Sequence, residues 1–91
     1  MALVARHVSV TGRVKGVFFR AWTRDQATEL GVTGWVRNCP DGRVDLHIEG
    51  EEGAVQQLID RLHRGPPAAK VEDVHLWDVD TFDFDDFEVR P

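Results

Sequence analysis

Apolar and polar residues alternate in short runs along this chain and twice give way to a helical repeat. Val8 and Val10 alternate with His7 and Ser9, which predicts a strand over His7 to Gly12. A glycine-bearing loop, Arg13 to Phe19, follows. The spacing then becomes helical from Arg20 to Leu30: Phe19, Thr23, Ala27 and Leu30 share one stripe, and Gly31 is the C-terminal stop. Val32 to Cys39 reads as a second strand, closed by the turn residues Pro40-Asp41-Gly42. Val44, Leu46 and Ile48 next alternate with Asp45, His47 and Glu49, the pattern of a strand with one face in the core and the other in water. Val55, Leu58, Ile59 and Leu62 fall at i, i+3, i+4 and i+7, the apolar stripe of a second helix. Glu51 and Glu52 sit at its positive end, Arg61, His63 and Arg64 at its negative end, and Gly65-Pro66-Pro67 stops it. Val71 to Val79 supplies a fourth strand, and Phe87 to Val89 offers a short fifth.

The order β-α-β-β-α-β with a short C-terminal edge strand predicts an α+β, ferredoxin-like sandwich, a mostly antiparallel sheet with two helices on one face. A helical crossover between strands one and two makes them parallel, so both end at the same edge of the sheet. The glycine loop leaves strand one at that edge and Asn38 lies near the end of strand two. Arg20 and Asn38, 18 residues apart in the chain, are therefore expected to be neighbours in space.

Composition narrows the picture. Ninety-one residues support one domain, spanning 1–91. No apolar run is long enough for a membrane span, and Arg6 and His7 interrupt the start before a signal sequence could form. Cys39 is the one cysteine, so an internal disulfide, a thiolate-rich zinc site and a CxxC pair are excluded, and a reducing cytoplasmic location is the expectation. The net charge of −5 is uneven: residues 1–44 carry seven bases and three acids, residues 45–91 four bases and thirteen acids. A nucleic-acid binder would present a net basic surface, so the local positive charge suits one small anion better than a polymer. Four histidines, His7, His47, His63 and His75, show no ligand spacing and read as solvated. Asp78, Asp80, Asp83, Asp85 and Asp86 do not match a calcium loop and read as a solvated acidic segment, held down by Phe82, Phe84 and Phe87. Trp22, Trp35 and Trp77 read as core or rim packing, since no RNA-binding aromatic motif accompanies them.

The loop Gly12-Arg13-Val14-Lys15-Gly16-Val17-Phe18-Phe19-Arg20 carries the parts of an oxyanion site. Its glycines let successive N–H groups turn inward, and the following helix adds free donors and its positive dipole end. Arg20 can grip two phosphate oxygens with its planar fork. As a cation at a helix start it opposes the dipole by about 0.3–1 kcal/mol, a conflict that a bound anion would remove. No Gly-Lys-Ser/Thr follows, so the loop is not a Walker loop.

Two motifs in this chain resemble those of the acylphosphatase family. Gly12, Val14, Gly16, Val17, Phe19 and Arg20 match the first signature; Gly34, Trp35, Val36, Asn38, Gly42, Val44 and Gly50 match the second. The likeness runs from about Val4 to Val89. It implies a ferredoxin-like fold and hydrolysis of the carboxyl-phosphate bond of acyl phosphates to carboxylate and orthophosphate. The resemblance further implies that the reaction uses no metal or cofactor and forms no phosphoenzyme. By position, the amides of Lys15, Gly16, Val17, Phe18 and Phe19 and the Arg20 guanidinium would bind phosphate, with Asn38 orienting the attacking water. The implied partners are an acyl phosphate and orthophosphate as product inhibitor, with neither nucleic acid nor membrane and with the chain acting as a monomer. The alternative is a non-catalytic module binding phosphate or carbamoyl phosphate. Two departures stand out: Lys15 replaces a glutamine, and Cys39 replaces a threonine, which would leave Asn38 less firmly held.

Overall fold

A computed structural model describes residues 2–91. The elements are β1 (Leu3–Arg13), α1 (Phe19–Leu30), β2 (Thr33–Asn38), β3 (Val44–Glu51), α2 (Glu52–Arg64), β4 (Lys70–Val79) and β5 (Phe87–Arg90). They form one sheet in the order β4-β1-β3-β2-β5. β3 pairs antiparallel with both β1 and β2, which makes those two strands parallel, and β5 joins β2 in parallel. This is the ferredoxin-like sandwich expected from the pattern.

Alternation explains the core. Val8, Val10, Val36, Val44, Leu46 and Ile48 point to the helix-covered face, where they are fully buried. Against them pack Phe19 and Ala27 of α1 and the Val55, Leu58, Ile59 and Leu62 stripe of α2. Each such side chain stabilises the fold by about 1.5–3 kcal/mol through area removed from water. α1 ends at Gly31, whose φ of 73° permits the left-handed cap, with its N–H reaching the Thr28 carbonyl at 3.2 Å. β1 is longer than its alternation predicted and is bent near its end, where its register with β4 shifts between Thr11 and Gly12. Gly12 is required there. A Cβ would lie 2.2 Å from the Lys70 carbonyl oxygen.

The second face of β3 corrects the sequence reading. Asp45, His47 and Glu49 were expected in water, yet each is only 4% exposed. β3 is the central strand, and residues 80–86 cross the open face on their way from β4 to β5. The amides of Phe82 and Phe84 donate to the Glu49 carboxylate at 2.9 and 3.0 Å, and His47 Nε2 lies 2.7 Å from it. His47 is thus buried in a network, while His75 is exposed as expected. Asp45 accepts from Ser9 Oγ at 2.9 Å and from Arg43 Nε at 3.0 Å. Trp22 packs on the core, whereas Trp77 lies outside it on the open face, 52% exposed, with its ring against His7 at a centroid distance of 5.5 Å.

Burial by itself would raise the Glu49 carboxyl, but hydrogen bonds from His47 and from the amides of Phe82 and Phe84 outweigh it and hold the group below its ordinary 4.5. A lowered folded-state value means stabilisation at neutral pH that is lost as pH falls through it. Glu49→Gln should therefore destabilise by about 2 kcal/mol in urea unfolding at pH 7. The gap to the wild type should narrow as the pH is taken below about 4.

Candidate active site

β1 and β2 deliver the loop and Asn38 to the same edge of the sheet. There Val14, Gly16, Phe18, Phe19, Arg20, Ala21, Asn38 and Val89 line a cleft of about 300 Å³. Arg20 and Asn38, on separate elements, thus meet in one cleft. The backbone dihedral φ is positive at Gly16 (76°) and Phe18 (58°) but not at Val17 between them. That alternation is the backbone pattern found in anion-binding nests. Phe18 is also the N-cap of α1, with no side-chain cap hydrogen bond and no acidic residue in the first turn. The first helical N–H groups, which start beside the cleft, therefore have no competing carboxylate in their own turn.

Arg20 is held by a group that carries no sequence signal. Its Nη1 donates to the Arg90 backbone carbonyl at 2.6 Å, so β5 fixes the guanidinium from across the sheet edge. Among the described residues the Asn38 carboxamide has no protein hydrogen-bond partner, which leaves it available to a water. Lys15 is exposed and does not line the cleft, and the Val17 side chain packs on the core instead. The Cys39 side chain lies beside Asp45. Val14, Ala21 and Val89 line the cleft although sequence reasoning assigned them no part in it. Val14 lies within the first signature and Ala21 directly follows it, but nothing in the local pattern near Val89 pointed to the site.

A larger groove of about 670 Å³ lies on the opposite face, lined by His7, Trp35, His47, Phe82 and others. His47 is committed to Glu49 there, and among the described residues no lysine or arginine lines the groove, whereas Arg20 lines the smaller cleft. Among the described residues no group of three or more His, Cys, Asp or Glu is arranged to hold a metal ion.

A strand-loop-helix edge with alternating φ, an arginine at the helix start and a carboxamide in the same cleft come together on a ferredoxin-like sheet. The sequence matches the family model for acylphosphatase over residues 6–89. An acylphosphatase of Rubrobacter xylanophilus is 59% identical over 69 residues, an alignment spanning 76% of this chain and 63% of that one. A solved acylphosphatase from Coxiella burnetii superposes with a TM-score of 0.94 at 42% identity, covering 97% of this chain and 93% of the other. The structure of a Bacillus subtilis acylphosphatase gives 0.94 at 32% identity, covering 99% and 100%. The chain belongs to the acylphosphatase family, enzymes that hydrolyse acyl phosphates.

Burial pushes the Cys39 thiol up, and the Asp45 carboxylate beside it pushes it further. Thiolate is consequently scarce near neutrality, and access is poor. Iodoacetamide at pH 8 should label Cys39 in the native protein at least about 10-fold more slowly than in the urea-unfolded chain, as followed by intact mass.

Proposed function

We propose that this chain hydrolyses acyl phosphates in the Arg20–Asn38 cleft, by direct attack of water on phosphorus. The observation that carries this reading is the convergence of Arg20, Asn38 and the loop residues Gly16, Phe18 and Phe19 on one cleft, with φ alternating in sign along the loop. The amides of Lys15 to Phe19 and the guanidinium of Arg20 bind the phosphoryl oxygens. Asn38 holds a water opposite the acyl leaving group. As the water oxygen bonds to phosphorus, the bond to the acyl oxygen breaks and its electron pair leaves on the carboxylate. A carboxylate is a good leaving group, so no general acid is needed. A loose phosphoryl transition state asks chiefly for positioning and for donors aimed at its equatorial oxygens.

The cleft supplies no base. Arg20 is the only ionisable side chain lining it, and guanidinium stays protonated. The water's proton therefore passes to a phosphoryl oxygen, giving orthophosphate and carboxylate. The same argument makes the reaction independent of metal, because the nest and Arg20 supply the charge that a metal would. A free, buried thiol fits a reducing compartment, and we assign the activity to the cytoplasm.

Loss of benzoyl phosphate absorbance in excess EDTA tests the assignment directly. Turnover should persist in chelator and be inhibited by orthophosphate; saturable phosphate binding without turnover would instead indicate a binding module. Arg20→Gln should abolish phosphate inhibition and nearly all activity. Asn38→Ala should retain phosphate inhibition while kcat drops about 100-fold, the scale of losing one positioned polar group. With no imidazole or carboxyl group lining the cleft, kcat should show no enzyme pKa between about pH 6 and 8.

A further inference from the structure

Phe18 is the most exposed large hydrophobic residue described, at 86%, and it stands in the left-handed region with φ 58° and ψ 26°. Either feature is unfavourable. An exposed phenyl ring gains nothing from the core, and a left-handed backbone is a costly conformation for a bulky side chain. The nest explains the backbone, since positive φ at this position turns the amides inward. A glycine would serve that purpose better. The nest does not explain the ring.

The position of the ring does suggest a role. Phe18 lines the cleft beside Val14, Phe19, Ala21 and Val89, so the surface around Arg20 and Asn38 is hydrocarbon. Once a phosphoryl group sits in the nest, the acyl half of the substrate must project outward past the rim. Besides Arg20, which the phosphoryl group engages, no charged side chain lines the cleft. Within the cleft a carboxylate on the acyl group would find no further cation and would meet the partly negative face of an aromatic ring.

We propose that the Phe18 side chain is the acyl-recognition element of this site and selects acyl phosphates with aromatic or extended apolar acyl groups over small or anionic ones. This rests on the phosphoryl assignment above and adds the other half of the substrate. The backbone amide of Phe18 serves phosphate; the ring serves the acyl group.

The readout is the ratio of kcat/KM for benzoyl phosphate to that for acetyl phosphate, because damage to the nest scales both substrates together. In Phe18→Gly, which suits the left-handed backbone, and in Phe18→Ala, the ratio should fall about 5- to 10-fold, the range of one lost aromatic stack. Phe18→Leu should give an intermediate value and Phe18→Trp should restore it. An unchanged ratio in Phe18→Gly and Phe18→Ala, with the wild type turning over both substrates, would overturn the proposal and leave the phosphoryl site standing. A wild type that hydrolyses neither substrate would overturn both readings, and the absence of inhibition by orthophosphate would trace the failure to the nest.

Discussion

One covalent constraint organises this molecule: a helix joins two parallel strands that are separated in the sheet by a third. β1 and β2 must end at the same edge, and β3 between them holds those ends two strand spacings apart, roughly 10 Å. That gap accommodates a tetrahedral ion and one water. The element filling the crossover, α1, starts at the same edge, so its unsatisfied N–H groups are delivered where the gap opens. In the proposed reaction, the phosphoryl group and the nucleophile are therefore addressed from two strands whose spacing is fixed by backbone hydrogen bonding rather than by side chains.

The constraint works only if the sheet between the two ends is rigid, and β3 provides that. Its helix-facing valine, leucine and isoleucine side chains are fully buried. Its other face is satisfied by paired polar groups: Asp45 by Ser9 and Arg43, Glu49 by His47 and two backbone amides. A buried polar network with every member partnered fixes one register, because a slip by one residue would strand each carboxylate in hydrocarbon.

Much of this was legible in the chain because it depends on local periodicity. The 3.6-residue repeat of α2, the alternation of Val44, Leu46 and Ile48, and the stop at Gly31 each reflect a residue's own geometry. The neighbourhood of Arg20 and Asn38 was legible too, since topology alone puts them at one edge. Burial of His47 and Glu49 was not, because the segment that covers them lies more than thirty residues away. Nor was the hold on Arg20 visible: a backbone carbonyl is the same at every position, so nothing in the letters marks the one at Arg90. Phe18 shows a different limit. Its type was plain, but a positive φ at a bulky residue contradicts intrinsic preference, and only the surrounding fold imposes it. The neighbour of the Cys39 thiol was hidden as well, since Asp45 reaches it from the next strand.

The grip of Arg90 on Arg20 ties the cleft to β5, a strand of four residues at the rim of the sheet. Short peripheral strands fray at lower free energy than the cooperative body of a domain. On warming, the guanidinium would be released by that fraying while β1, β3 and both helices remain intact. Heat inactivation would then precede the loss of the circular dichroism signal, and orthophosphate, by occupying the cleft, would draw the two transitions together.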